Sequence, residues 1–348
     1  MRVDLLAIYK ETLARCAPDV LVRQHLDATM PRNVVAIGKC AGALLDGVAA
    51  VHAIDAAFAP IPEGYPLPRV NAEIHIGGHP HMTRASFDAG RALLAFVERH
   101  DDILFLVSGG GSACVEVALR DEDETANANA RLIASGLPIA QINAERRKLS
   151  AIKGGKLRER VRGRCVTLVY SDVSTGALAD VASGPTITGA REAVLIADNT
   201  TLTATAAQII GDNAVLYSQQ IECDVEAAVY PLAKRAQRMS PGQVLVTGGE
   251  PTVVVRGDGR GGRCSELAVR FATMSTAEAL FASSDGVDGN SRAAGIHLPA
   301  RPALLQPAAI EAALAASDSM AVAAQVGEPI MIAPTGNNLR DLFLIAAT

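Results

Sequence analysis

The chain has 348 residues, 49% of them hydrophobic and 20% charged, and carries a net charge of −5. That length suggests two domains with a substantial core, and the negative balance excludes a large electrostatic nucleic-acid footprint. No uncharged apolar run reaches the roughly 18 residues that would suggest a transmembrane helix. Six cysteines are scattered singly, without a CxxC pair, which fits reduced thiols in a cytoplasmic protein better than a disulfide frame or a zinc site.

The first sixteen residues carry charges throughout and predict an amphipathic helix rather than a signal peptide, within a helical stretch over 3–28. Asn33 to Ile37 predicts a strand that runs into Gly38 and Lys39, with a helix over 41–50. Ile74 to Ile76 predicts a short strand entering GGHPHMTRAS, and 83–100 a helix with Leu93, Leu94 and Val97 at helical spacing. Ile103 to Val107 reads as a buried strand, followed by Ser108, Gly109, Gly110, Gly111 and Ser112 and then a helix. Residues 142–160 predict a basic helix interrupted at Gly154 and Gly155, and 166–170 a buried strand ending at Ser171 and Asp172. Strand-then-helix alternation of this kind argues for parallel βαβ units.

In the second half, 214–217 predicts a strand and 223–237 a helix. Residues 244–250 and 252–257 predict two strands one residue apart, a tight antiparallel pair. The GDGRGGR loop follows, then a helix, a strand ending in the acidic turn SSDGVDG, and two closing strands around a turn. The fold expected is α/β, a Rossmann-like larger N-terminal domain over 1–225 and a smaller mixed α/β domain over 226–348, with a boundary that no Gly/Ser linker marks.

Seven polar or glycine-rich turns directly follow predicted strands, and in α/β sheets the carboxyl ends of strands line the ligand crevice. At 103–116, a strand, a glycine turn and a helix start bring backbone N–H groups to an anion, with Ser108 and Ser112 adding hydroxyl donors. Lys39 closes a strand at a helix start, where the macrodipole disfavours a cation and an anionic partner would offset it. Asp172 at a strand end suits a general base, a metal held through water, or a helix N-cap. Arg146, Arg147, Lys148, Lys153 and Lys156 make either a solvated face or a phosphate-facing patch, without the interleaved aromatics of a nucleic-acid surface. Gly257, Gly259 and Gly262 spell GxGxxG, but after a hairpin-like pair and without an acidic strand end about 20 residues on; Arg260 and Arg263 suit bidentate contact with carboxylate or phosphate. Asp285 and Asp288 suit either a hydrated magnesium or Asx-type turns. His75, His79 and His81 are weaker candidates for a metal.

Eight stretches, AIGKCAG (36–42), GGHPHMTRASFDAGRALL (77–94), LVSGGGSACVE (106–116), INAERRKLSAIKGGKL (142–157), SDVSTGALADVASGPT (171–186), VTGGEPTVVVRGDGRGGR (246–263), SSDGVDGNSRAAG (283–295) and PTGNNLRDL (334–342), occur in one order across nearly the whole chain. Together they resemble the glycerate 2-kinase family, two-domain kinases with a MOFRL-type C-terminal domain, some of which carry the name hydroxypyruvate reductase. The resemblance implies an active site in the cleft between the domains and transfer of the ATP γ-phosphoryl group to the 2-hydroxyl of D-glycerate or a closely related hydroxy acid, with Mg²⁺. It implies that Lys39, Asp172 and Arg263 are catalytic: an active-site lysine, the carboxylate near the acceptor hydroxyl, and an arginine on the phosphoryl group or substrate carboxylate. Gly38, Ser108 to Ser112, Lys148, Lys153, Glu250, Arg260, Asp285 and Asn337 would bind substrate or nucleotide, and Asp285 and Asp288 the metal.

The chain departs from the family pattern at Cys264-Ser265, where an Asn-Gln pair is usual, and at Ser174-Thr175-Gly176, where a carboxylate is usual. Two alternatives stand beside the kinase: an NAD(P)H-dependent hydroxypyruvate reductase resting on the GxGxxG, and a non-catalytic nucleotide- or anion-binding relative resting on the missing carboxylate. No nucleic-acid or membrane partner is expected, and the oligomeric state, a homodimer included, is left open.

Overall fold

The computed structural model describes residues 3–174, 178–189 and 193–347. The chain opens with α1 (Leu5–Arg15), which Asp4 caps by accepting from the Ala7 amide. Then follow α2 (Pro18–Leu21), β1 (Asn33–Ile37), α3 (Ala41–Ala49), β2 (Ala56–Pro62), β3 (Glu73–Gly77), α4 (Arg84–Arg99) and β4 (Ile103–Ser108). After β4 come α5 (Gly111–Cys114), α6 (Glu122–Ala134), α7 (Ile139–Leu149), β5 (Cys165–Tyr170) and β6 (Val194–Ala197). The remainder is α8 (Asn199–Ile210), β7 (Ala214–Leu216), α9 (Val225–Ala236), β8 (Val244–Gly249), α10 (Arg263–Ala272), β9 (Glu278–Ser283), β10 (Gly295–Leu298), α11 (Pro307–Ala315), α12 (Ser319–Val326), β11 (Glu328–Pro329) and β12 (Asp341–Ala346).

By its contacts the chain divides into two units. The first is Ala17–Asp198; the second joins Met1–Cys16 to Asn199–Thr348. The first unit is built on a parallel sheet in the order β3-β2-β1-β4-β5-β6. The order reverses between β1 and β4, which is where the sheet of a doubly wound fold opens its crevice. Val35, Ile37, Phe105 and Val107 bury one face of the sheet against Leu93, Phe96 and Val97 of α4. The alternating Val34, Ala36, Leu104 and Leu106 are equally buried on the other face, where α3 packs. Both β1 and β4 therefore read as unbroken apolar runs, as parallel strands covered on two sides must.

The second unit carries a mixed sheet in the order β11-β10-β9-β12-β8-β7. Helices α9, α10 and α12 close over Leu245, Ala279, Phe281, Ile296, Phe343 and Ile345, while α1 and α8 pack against β8, β9 and β12. This division by contacts differs from the single boundary expected at 225/226. Helix α1 returns to the second sheet, because the buried Tyr9 hydroxyl donates to Ser283 O at 2.6 Å and the Asn337 amide donates to Leu13 O. Strand β7 joins the same sheet through parallel pairing with β8.

Two local expectations also change. The helix expected over 3–28 breaks at Ala17-Pro18 into α1 and α2, as a proline that can start a helix but not continue one requires. The strand expected over 252–257 does not pair with β8. Thr252 makes only an isolated bridge to Asp224, while β8 is occupied on both sides by β12 and β7, so no hairpin partner position remains. Among the described residues no helix is long and apolar enough to cross a membrane.

Candidate active site

Register places three turns of the first unit at one level. Ile37 pairs with Val107 and Ser108 with Tyr170, so Gly38-Lys39, Gly109-Gly110 and Ser171-Asp172 leave the sheet side by side at its carboxyl edge. The first two are locked together. The Lys39 amide donates to Gly109 O at 2.9 Å, and the Gly38 amide to Pro60 O at 3.1 Å. Gly38 has φ +103, and a Cβ there would lie 2.5 Å from the carbonyl oxygens of Ser108 and Gly109; only glycine allows this crossing. The aliphatic stem of Lys39 lies over Gly110, itself at φ +83, and the ammonium stands 5.5 Å from the centre of the Tyr65 ring. Beyond it, 6.5 Å from Tyr65, is the His79 ring.

Several positive charges act on His79 at this edge. His79 is pushed down to about 4, by partial withdrawal from water and then by the charges of Lys39, Arg146 and His81. It is therefore neutral at physiological pH although its side chain is exposed. Arg146 is buried and hydrogen-bonded to neutral amides: its Nε donates to Asn129 Oδ1 at 2.8 Å and its Nη1 to Asn143 Oδ1 at 3.4 Å, while burial lowers its pKa against the pull of Glu116. The His75–Glu73 pair lies at the other end of β3, and the three histidines form no metal set.

The glycine turn differs from its expected form in two ways. The helix after it, α5, is a single turn, because the chain leaves at Val115 in an extended conformation, so a helix dipole has little length over which to build. Ser108 offers no hydroxyl proton outward, and Ser112 has a hydroxyl neighbour. Ser108 is fully buried; it donates to Ile37 O at 2.9 Å and accepts from the Cys40 amide. Ser112 lies 2.7 Å from the hydroxyl of Ser183. That residue belongs to a run of three left-handed positions, Ala182 (φ +51), Ser183 (φ +60) and Gly184 (φ +64). Strain of this kind in non-glycine residues costs about 1–3 kcal/mol each and collects at functional sites.

The basic stretch at 142–157 serves this loop. Arg147 donates to Asp180 Oδ1 at 2.6 Å and to Ala179 O at 2.7 Å, and the Gly154 amide donates to Ser183 O at 3.0 Å. Lys153 is buried and ion-paired with Glu116, which also accepts from Ser150. Burial lowers its pKa, against the opposing pull of Glu116. Lys148 is exposed on α7 beside Glu145. Neither of these two lysines joins the cluster at Lys39.

In the second unit, the carboxyl ends of β8 and β9 flank the amino end of β12, because both strands run antiparallel to it. Arg263, at the start of α10, makes a bidentate contact with Asp341 (2.6 and 3.0 Å) and reaches Glu250 at 3.1 Å. Arg340 bonds Glu250, Glu222 and Gln220. Burial opposes the Arg263 charge, but Asp341 and Glu250 outweigh it and hold the guanidinium protonated. Complete burial, with Glu250 and Asp288 nearby, pushes Asp341 up to about 6 despite the arginine.

The expected metal pair is engaged otherwise. Asp288 accepts from the Cys264 and Ser265 amides at 2.9 Å each, and Asp285 Oδ1 accepts from the Ser283 hydroxyl and the Val287 amide. Among the described residues no three Asp, Glu, His or Cys side chains gather as a metal site. Asn337 is buried beneath Thr335, and Arg260 is exposed in its loop.

The GxGxxG does not make a dinucleotide turn. Its glycines pack against Ala316, Asp318 and Asp288, and Asp288 already occupies the amides of α10 that a pyrophosphate would need. The departure at Thr175-Gly176 lies outside the described residues.

Sequence could not single out Tyr65 or Ser183. A tyrosine beyond β2 carries no spacing signal, and the strain at Ser183 is visible only in the backbone, although ASGPT ends one of the matched stretches.

Parallel strand ends carrying a lysine over a glycine turn, with a second unit of paired arginines, define a two-unit α/β phosphotransferase. A family model described as a domain of unknown function, DUF4147, matches residues 4–211, and that of the MOFRL family matches 243–341. The chain belongs to the glycerate 2-kinase family, built from these two domains. A glycerate 2-kinase of Sulfurisphaera tokodaii is 28% identical over 333 residues, 83% of each chain. A putative hydroxypyruvate reductase of Agrobacterium vitis is 28% identical over 420 residues, covering 98% of this chain and 93% of its own. The crystal structure of a glycerate kinase from Thermotoga maritima superposes with a TM-score of 0.88 at 27% identity, covering 99% of this chain and 98% of that one.

Proposed function

We propose that the protein transfers the γ-phosphoryl group of MgATP to the 2-hydroxyl of D-glycerate or a closely related small hydroxy acid. The observation that carries this reading is the level edge of the first sheet. There Lys39 lies over Gly110, and Asp172 follows β5, which pairs with β4 next to β1. Phosphoryl transfer asks for little else: positive charge on the equatorial oxygens, and an acceptor for the hydroxyl proton. In this reading Lys39 neutralises the migrating group and Asp172 takes the proton of the attacking hydroxyl. Arg263, held in orientation by Asp341, faces the phosphoryl group or the acid's carboxylate. Magnesium enters with the nucleotide as part of the substrate.

A coupled assay for ADP with D-glycerate, L-glycerate and tetronates tests this. ADP release that requires D-glycerate supports it, and no release with any of these acids refutes it. Oxidation of NADH with hydroxypyruvate, absent in this reading, would instead support a reductase.

A further inference from the structure

The first unit holds a chain of side-chain hydrogen bonds in which every proton can be placed. Asp180 accepts from Arg147 through Oδ1. The Asn143 amide nitrogen donates to Asp180 O at 3.1 Å and to its Oδ1 at 3.4 Å. Both are pure acceptors, so the nitrogen of Asn143 must face them and its oxygen must face the other way. That oxygen receives the Ser183 hydroxyl at 2.9 Å and Arg146 Nη1 at 3.4 Å. A serine has one proton to give, and Ser183 gives it to Asn143. In the 2.7 Å contact between Ser183 and Ser112 the donor is then Ser112. Asn143 and Ser183 are 1% and 0% exposed, whereas Ser112 is half-buried at the open edge. Ala182 packs on Gly111, one residue from Ser112, so the strained run 182–184 fixes both the backbone and the proton of the glycine turn.

We infer that Ser112 presents only lone pairs to a ligand, and accepts a hydrogen bond from a ligand hydroxyl rather than donating one to a phosphate. Ser183 and Asn143 are positioning residues that set this polarity. The inference rests on the reading that this edge binds the reactants. The hydroxyl it recognises belongs to the hydroxy acid or to the ribose of the nucleotide. A site built to receive a hydroxyl discriminates strongly against a ligand that lacks it, because the acceptor is left unpaired.

The experiment is direct titration by calorimetry, with ADP formation followed in parallel. The arms are ATP against its 2′-deoxy and 3′-deoxy forms, and D-glycerate against D-lactate and 3-hydroxypropanoate. In the wild-type protein, removal of one particular hydroxyl in this set is expected to weaken binding about tenfold, the equivalent of one good hydrogen bond. Ser112→Ala and Ser183→Gly are each expected to bring that ratio to within about twofold. Glycine suits the left-handed position at 183, which offsets part of the lost hydrogen bonding, and a melting curve of Ser183→Gly read alongside separates loss of proton placement from loss of fold. The inference is overturned if no hydroxyl shows the ratio, or if the ratio survives in either variant. Hydroxyl-dependent binding without ADP formation would refute the kinase reading while leaving the polarity of Ser112 intact.

Discussion

In the first unit the carboxyl edge of the sheet gathers Lys39, His79 and Arg146, and His79 is pushed down to about 4, first by withdrawal from water and then by the charges of Lys39, Arg146 and His81. The corresponding edge of the second unit gathers Arg263 and Arg340, but there three carboxylates, Glu222, Glu250 and Asp341, bond the two arginines. The same topological device thus gathers a lysine, a histidine and a buried arginine in one unit and an arginine–carboxylate network in the other. The second holds its arginines in fixed orientations at little net charge, which favours geometry over attraction.

Removing the lysine is the most direct way to break the comparison. Lys39→Ala is expected to lower kcat/KM for ADP formation on the order of 10³-fold, about 4 kcal/mol, the scale of a lost electrostatic stabiliser. The melting temperature should barely move, since Gly38 and the Lys39 amide hold the turn. Equal or larger loss from Arg263→Ala with Lys39→Ala near wild type would reverse the assignment of the two edges.

The second largest effect separates charge that serves the ligand from charge that serves the fold. Lys153→Met leaves Glu116 buried without its ion-pair partner, and is expected to cost about 3 kcal/mol in urea unfolding. The nucleotide KM of the folded variant should stay within about twofold of wild type, because that is within the scatter of an untouched contact. A raised KM with unchanged stability would return Lys153 to the binding set expected from sequence.

This division was only partly legible in the sequence. The apolar runs at 33–37 and 103–107, each breaking into glycine, announced parallel strands and their carboxyl-end turns, and Lys39 stood out because a cation at a helix start is disfavoured. Sequence spacing carries no burial, however. Lys148 and Lys153 read as equivalent members of a basic stretch, yet one is exposed on α7 and the other lies beneath it with Glu116. Ser108 and Ser112 read as donors because the residues that take their protons, Ile37 and Ser183, are 71 positions away in each case. The apolar alternation at 252–257 predicted a strand, but pairing is decided by the neighbours, and β12 and β7 had already taken both edges of β8. Nothing in α1 itself reveals that it crosses back to the second sheet.

A pH profile sharpens the contrast on the side of the second unit. Asp341 sits at about 6, above the ordinary carboxylate range, because of its burial. It is ionised above that pH and gains a proton below it, so its grip on Arg263 weakens as the pH falls. The acid limb of kcat is therefore expected near pH 6. Asp341→Asn should abolish that limb and lower kcat about tenfold at neutral pH, the scale of one charge-assisted hydrogen bond. A limb unchanged in the variant would assign it to another group.

The smallest effect is expected at Lys148. Its side chain is 68% exposed and its ion pair with Glu145, three residues earlier on α7, is 48% exposed on the acidic side. Pairs of this kind contribute little because water already solvates both charges. Lys148→Ala should change unfolding free energy by no more than about 0.5 kcal/mol and leave the KM for ATP and for the acid within about twofold. Arg147 is the adjacent residue on the same helix, yet it donates to Asp180 and Ala179 beneath the strained run at 182–184, so Arg147→Ala should raise KM severalfold where Lys148→Ala does not. Equal effects at the two positions would mean that the basic stretch acts through diffuse charge, not through the hydrogen bonds that reach Ser112.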